Sequence, residues 1–125
     1  MIAFVRRTNP FAHSDVGSVL LELGKALPGV RAYCPSYASC AYVILHTERD
    51  RIFAIAFDQR GLAFRLAEPS RQDALADGGV PAPEVGPDWV RFAPWAGGGG
   101  ADGAEHSRRL ERWCARALDD AVGDA

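Results

Sequence analysis

Three thiols, three imidazoles and thirteen arginines are the residues with which this chain could do chemistry. A cysteine nucleophile needs a base held against it. A zinc site needs four ligands, usually in paired short spacings such as Cys-x2-Cys. Cys34 and Cys40 share one loop with His46 beyond them, which is a single loose pair. They read as buried or half-buried thiols, since free cysteine behaves as a small apolar residue. A Cys34–Cys40 disulfide would require a tightly folded loop and an oxidising compartment. Cys114 falls on the apolar stripe of the last helix and belongs to the core. His13 and His106 stand at helix entrances, where exposure is expected, and His46 ends a strand. Asp119 and Asp120 are adjacent, point apart, and read as solubilising charge on a turn whose dipole they oppose. Gly97–Gly100 lacks the Lys-Ser/Thr of a phosphate loop. No catalytic residue, metal ligand or cofactor site emerges, and the chain reads as noncatalytic.

The arginines point instead to binding. If strands 62–66 and 89–93 are neighbours, Arg65, Trp89 and Arg91 share a face. Two guanidinium groups beside an indole could hold phosphates and stack a base or an anionic ligand. Arg60, at a hairpin tip, would add a third phosphate contact. The competing reading packs an arginine over the tryptophan at the sheet edge. Arg108, Arg109, Arg112 and Arg116 cluster on the last helix among Glu105 and Glu111. Such mixed charge marks a solvated helix face. Tyr33 and Tyr37 anchor the loop Val30–Ser39 and would line a pocket between it and the sheet, open to a small molecule or a protein.

The charge balance moderates the nucleic-acid reading. The formal net charge is −2 and the pI about 5.9, whereas nonspecific nucleic-acid binding relies on an excess of phosphate-neutralising cations. Arginine outnumbers lysine 13 to 1, a bias that a GC-rich genome produces as readily as a need for bidentate contacts. No window approaches the roughly 20 apolar residues that cross a bilayer. Met1–Val5 is too short for a secretory signal and runs into Arg6-Arg7. The expectation is a cytoplasmic chain with reduced thiols, monomeric or a weak homodimer, with DNA or another protein as its partner and no membrane.

These residues need elements to position them. The 125 residues suit one domain, residues 1–125. Ser14 reads as an N-cap, and Val16, Val19, Leu20, Leu23 and Leu27 follow at helical spacing until Pro28-Gly29. Gly17 and Gly24 weaken this helix but leave room for a neighbour. Val30–Ser39 reads as a loop, Ala41–His46 as a strand and Thr47–Asp50 as a polar turn. Arg51–Leu66 forms a hairpin. Pro69 suits the first position of a short helix, stopped by Gly78-Gly79. Val80–Pro87 is an extended connector and Trp89–Ala93 a strand. Trp95–Gly103 is a flexible loop. Glu105–Val122 is a helix whose stripe is Leu110, Trp113, Cys114, Ala117, Leu118 and Ala121. The fold class is α+β. It has an antiparallel three-strand meander plus a later strand, with N-terminal, short middle and C-terminal helices.

The hairpin admits two registers. A three-residue loop with Gly61 left-handed pairs Asp58 with Leu62 and places Ala54 and Ala56 with Phe64. Phe53, Ile55, Phe57 and Arg65 then take the other face. A four-residue loop pairs Phe57 with Leu62 and gathers the large apolar groups on one face, leaving Arg65 on an open one. A one-residue slip exchanges the faces.

Several short motifs stand in a telling order. Leu27-Pro28-Gly29-Val30 ends the first helix, and Ile52-Phe53-Ala54 follows Arg51. Gly61-Leu62-Ala63-Phe64-Arg65-Leu66 leads into Glu68-Pro69. Asp88-Trp89-Val90 precedes the terminal helix. This order, over roughly Val16–Val122, resembles the MmcQ/YjbR-like family and, more distantly, the N-terminal domain of TfoX-like proteins. The resemblance implies a compact α+β domain with an antiparallel sheet and a DNA-binding role of the kind proposed for some members. It implies no catalytic residues. Arg65 stands where lysine is common, and Trp113-Cys114-Ala115-Arg116 replaces the usual Ser-Tyr pair.

Overall fold

The structure is a computed structural model that describes residues 14–33, 43–49, 51–58, 61–93 and 101–123. Helix α1 spans Ser14–Lys25. Leu20 is fully buried, and Val19, Leu21, Leu23 and Leu27 pack beside it. The helix stops two residues before the expected end, with Leu27 N–H closing a tight last turn on the Gly24 carbonyl at 3.1 Å. A β-carbon on Gly24 would lie 2.9 Å from Leu45 Cδ2. The bare backbone there lets the sheet approach, as the paired glycines suggested.

Six strands follow: β1 Arg31–Tyr33, β2 Val43–His46, β3 Ile52–Asp58, β4 Gly61–Arg65, β5 Val80–Pro81 and β6 Trp89–Phe92. They form one sheet in the order β1-β2-β3-β4-β6-β5, and every neighbouring pair is antiparallel. With helices at the start, middle and end, this is the expected α+β arrangement. Two strands were not anticipated. β1 comes from the stretch read as a loop, and β5 from the stretch read as a connector. Both are short and close the two edges of the sheet, where Pro81, lacking an N–H, costs no interior ladder bond.

The hairpin adopts neither of the two registers. Ala54 pairs with Phe64, Ile55 with Ala63, Ala56 with Leu62 and Asp58 with Gly61, so the ladder skips Phe57. A second irregularity lies on the β2 side, where Leu45 faces Ala54 but His46 faces Ile52, passing over Phe53. A bulge sets two residues against one and turns the extra side chain. Phe53 therefore joins Ala54 in the main core instead of Ile55 on the opposite face. The three-residue-loop alternative is right for Ala54, Ala56 and Ile55, and wrong for Phe53.

All three described helices pack on one face of the sheet. Helix α2 spans Ser70–Ala76, and α3 spans Ala101–Gly123. Pro69 stands one place earlier than expected, at the N-cap of α2 after a cis Glu68–Pro69 bond. The core on this face joins Leu20, Leu45, Phe53, Phe64, Val90 and Phe92 to the predicted stripe of α3, every member of which is buried. α3 begins at Ala101, so Ala101–Gly103, expected in a flexible loop, are helical; residues 94–100 lie outside the described residues. A smaller cluster of Ile55, Ala63, Ala82 and Trp89 occupies the other face, with Ile52 and Val85 beside it.

Two glycines should respond oppositely to alanine. A β-carbon on Gly79 would meet Val90 Cγ1 at 2.4 Å, the Ala74 carbonyl at 2.9 Å and Phe92 Cζ at 3.0 Å. Gly79→Ala is expected to cost about 1–3 kcal/mol through overpacking. Gly103 is helical with nothing within 4 Å, and Gly103→Ala should stabilise by about 0.5 kcal/mol. Urea unfolding midpoints of the two variants check both signs.

Candidate functional site

The arginine face of α3 is built into the fold. Gly78, at φ 101°, ends α2 and leaves Asp77 as its C-cap. Asp77 Oδ2 accepts the Trp113 indole N–H at 2.8 Å and Arg112 Nη2 at 3.0 Å, with Arg109 Nε 3.6 Å away. Arg116 reaches Asp73 at 3.5 Å. The guanidinium carbons of Arg112 and Arg116 lie 6.0 and 5.9 Å from the Trp113 ring centre, within cation–π range. Beneath, Trp113 stacks on Phe92 at 6.2 Å and 15°. The expected solvated face is therefore half-committed to holding α2. Asp77 is the acceptor that Trp113 and Arg112 share, and no spacing rule connects positions 77 and 113. Asp120 is a second correction. It is not merely solubilising, because its Oδ2 accepts the Ala67 N–H at 3.1 Å and ties the last turns of α3 to the segment before α2.

The structure brings Arg65, Trp89 and Arg91 onto one face, as proposed. β4 and β6 are neighbours, Arg65 pairs with Trp89, and Ala63 pairs with Arg91. Their environments differ from what the stacking reading requires, and the burial of Trp89 agrees with the competing, packed one. Trp89 is only 6% exposed, packed with Ala82 and Val85, and Gly86 is so close that a β-carbon there would lie 2.6 Å from Trp89 Cδ1. The indole has no free face on which a base could stack. Arg65 is half-buried and lines a cavity of about 260 Å³ with Glu68, Asp88 and Asp120. Those carboxylates oppose an incoming phosphate. Arg91 is half-buried beside β5. Arg60 and Tyr37 lie outside the described residues, and Tyr33 closes β1.

A larger groove, about 940 Å³, opens at the same end of the sheet. Pro28 and Gly29, Thr47, Glu48, Arg49 and Arg51 between β2 and β3, and the last turns of α3 surround it. Thr47 shapes its floor. Buried at 6%, it accepts the backbone N–H groups of Arg49 and Arg51 at 3.3 and 3.2 Å through Oγ1. Its own N–H reaches the Arg51 carbonyl at 2.9 Å. The lining mixes Glu48 and Asp119 with Arg49 and Arg51, and Val122 is 59% exposed at its rim. Ala121 lines both this groove and the smaller cavity. Sequence reasoning missed the groove because it joins turns that are distant along the chain.

Among the described residues, His106, His46 and Cys114 have structural roles. His106, expected to be exposed, is half-buried. Its Nε2–H donates to the Ala93 carbonyl at 2.6 Å, and its Nδ1 accepts from Arg109 Nη1 at 3.0 Å. His46 Nδ1 donates to the Thr47 carbonyl at 3.1 Å. Cys114 is buried, and desolvation pushes its thiol from 9.0 up to about 12. Cys34, Cys40 and His13 lie outside the described residues, among which no group of three His, Cys, Asp or Glu could hold a metal ion. No described helix is long and apolar enough to cross a membrane. No family model, curated protein or solved structure matches the chain.

Asp77→Ala strands the buried indole donor and should destabilise by about 2 kcal/mol, a hydrogen bond to a charged acceptor being worth about 1.5–3. Asp77→Asn keeps an acceptor and should cost less than half as much; equal losses in chemical denaturation would contradict this account. Cys114 gives a pH test. Below the ordinary thiol value of 9.0 both states keep the proton. As pH rises from 9.0 towards about 12 only the unfolded chain loses it, so stability falls. The slope should approach about 1.4 kcal/mol per pH unit, and unfolding curves of Cys114→Ala should lack that component.

Proposed function

We propose that this chain is a noncatalytic binding domain whose partner is a protein, docked in the groove between the β2–β3 turn and the end of α3. The observation that carries this reading is the groove's make-up. It combines about 940 Å³ of open concavity, an exposed Val122 and charges of both signs from Arg49, Arg51, Glu48 and Asp119. Mixed charge around an apolar contact suits a protein surface, whereas a polyanion requires cations in excess. The noncatalytic part is supported by a buried thiol at Cys114 and by a His106 whose two nitrogens are already engaged. The motif order resembling MmcQ/YjbR-like proteins agrees with a binding role.

A photo-crosslinking residue at position 122 should yield one discrete protein adduct in cells of the source organism. The same residue at Glu111, exposed and away from the groove, should not. No adduct from position 122, or equal adducts from both, would sink the groove as the docking site.

Nucleic acid is the second reading, and one observation favours it. By register, Arg31, His46, Arg65 and Arg91 all lie on the sheet face that carries no described helix. Asp58 is the one acid on the described strands. Phosphate contacts from Arg31 and Arg91 alone would make duplex-DNA affinity fall about tenfold between roughly 50 and 200 mM salt. Replacing both by alanine would abolish the binding. The protein-docking reading expects no DNA binding at the lower salt, and salt-sensitive binding lost in the double variant would reverse the ranking.

A further inference from the structure

We draw no further inference here: the strongest candidate, the 260 Å³ cavity in which Glu68, Asp88 and Asp120 surround Arg65 at the end of β4, is an acidic cluster in which Asp120 already caps the Ala67 N–H, and no second observation in the structure points to a ligand there.

Discussion

One hydrogen bond, from the Trp113 indole to Asp77, holds the parts of this domain in register. An indole N–H in the core must find an acceptor or lose its hydration uncompensated. Trp113 is 4% exposed, and the acceptor it finds is the residue that terminates α2. The bond therefore docks α2 on α3. The same ring stacks on Phe92, which meets Phe64 at 6.1 Å and 52°, so the link runs on through β6 into β4. Arg109 and Arg112 add charge around the shared oxygen, but Arg112 is 60% exposed and solvent screens its contribution. Indole burial and its single acceptor dominate this junction, with the ion pairs secondary.

That junction explains why the connection from β4 to β6 works. The chain leaves β4, forms α2, adds β5 at the sheet edge and returns as β6 between β5 and β4. The return is tight at Gly79, whose backbone sits against Val90, Phe92 and the Ala74 carbonyl. A side chain there would push α2 away from the sheet and pull Asp77 off Trp113. Gly78 supplies the positive φ that ends the helix and Gly79 the close approach, so the pair has two distinct physical duties.

Local signals made much of this readable in advance. The stripe of α3 has a 3.6-residue period, and all six of its expected members are buried. The three strands of the meander and β6 carry β-rich runs between polar turns, which is enough to place them. The edge strands escaped because β1 and β5 are two or three residues long and contain Arg31 or Pro81; their pairing comes from neighbours and not from their own composition. The hairpin register escaped because two bulges in β3 break the two-residue alternation on which face assignment depends. The proximity of Arg65, Trp89 and Arg91 was correctly read from alternation. Their accessibility stayed open between a packed and an exposed reading, because the turn 82–86 that buries Trp89 and the carboxylates that line the cavity with Arg65 come from other parts of the chain.

The same distinction separates the two binding readings. Alternation along strands reveals which residues share a face, and it gathered four cationic-type residues on one side of the sheet. Binding energy depends on the field around those residues. Arg65 lines its cavity together with three carboxylates, and negative groups sharing a cavity with a guanidinium weaken its hold on a phosphate. A row of arginines is thus a weaker sign of a polyanion partner than its count suggests. In the groove Glu48 and Asp119 line the same concavity as Arg49 and Arg51, with Val122 exposed among them, so a partner of the proposed kind would meet both signs of charge around an apolar contact. Such an arrangement rewards a surface of alternating charge and excludes a uniform one.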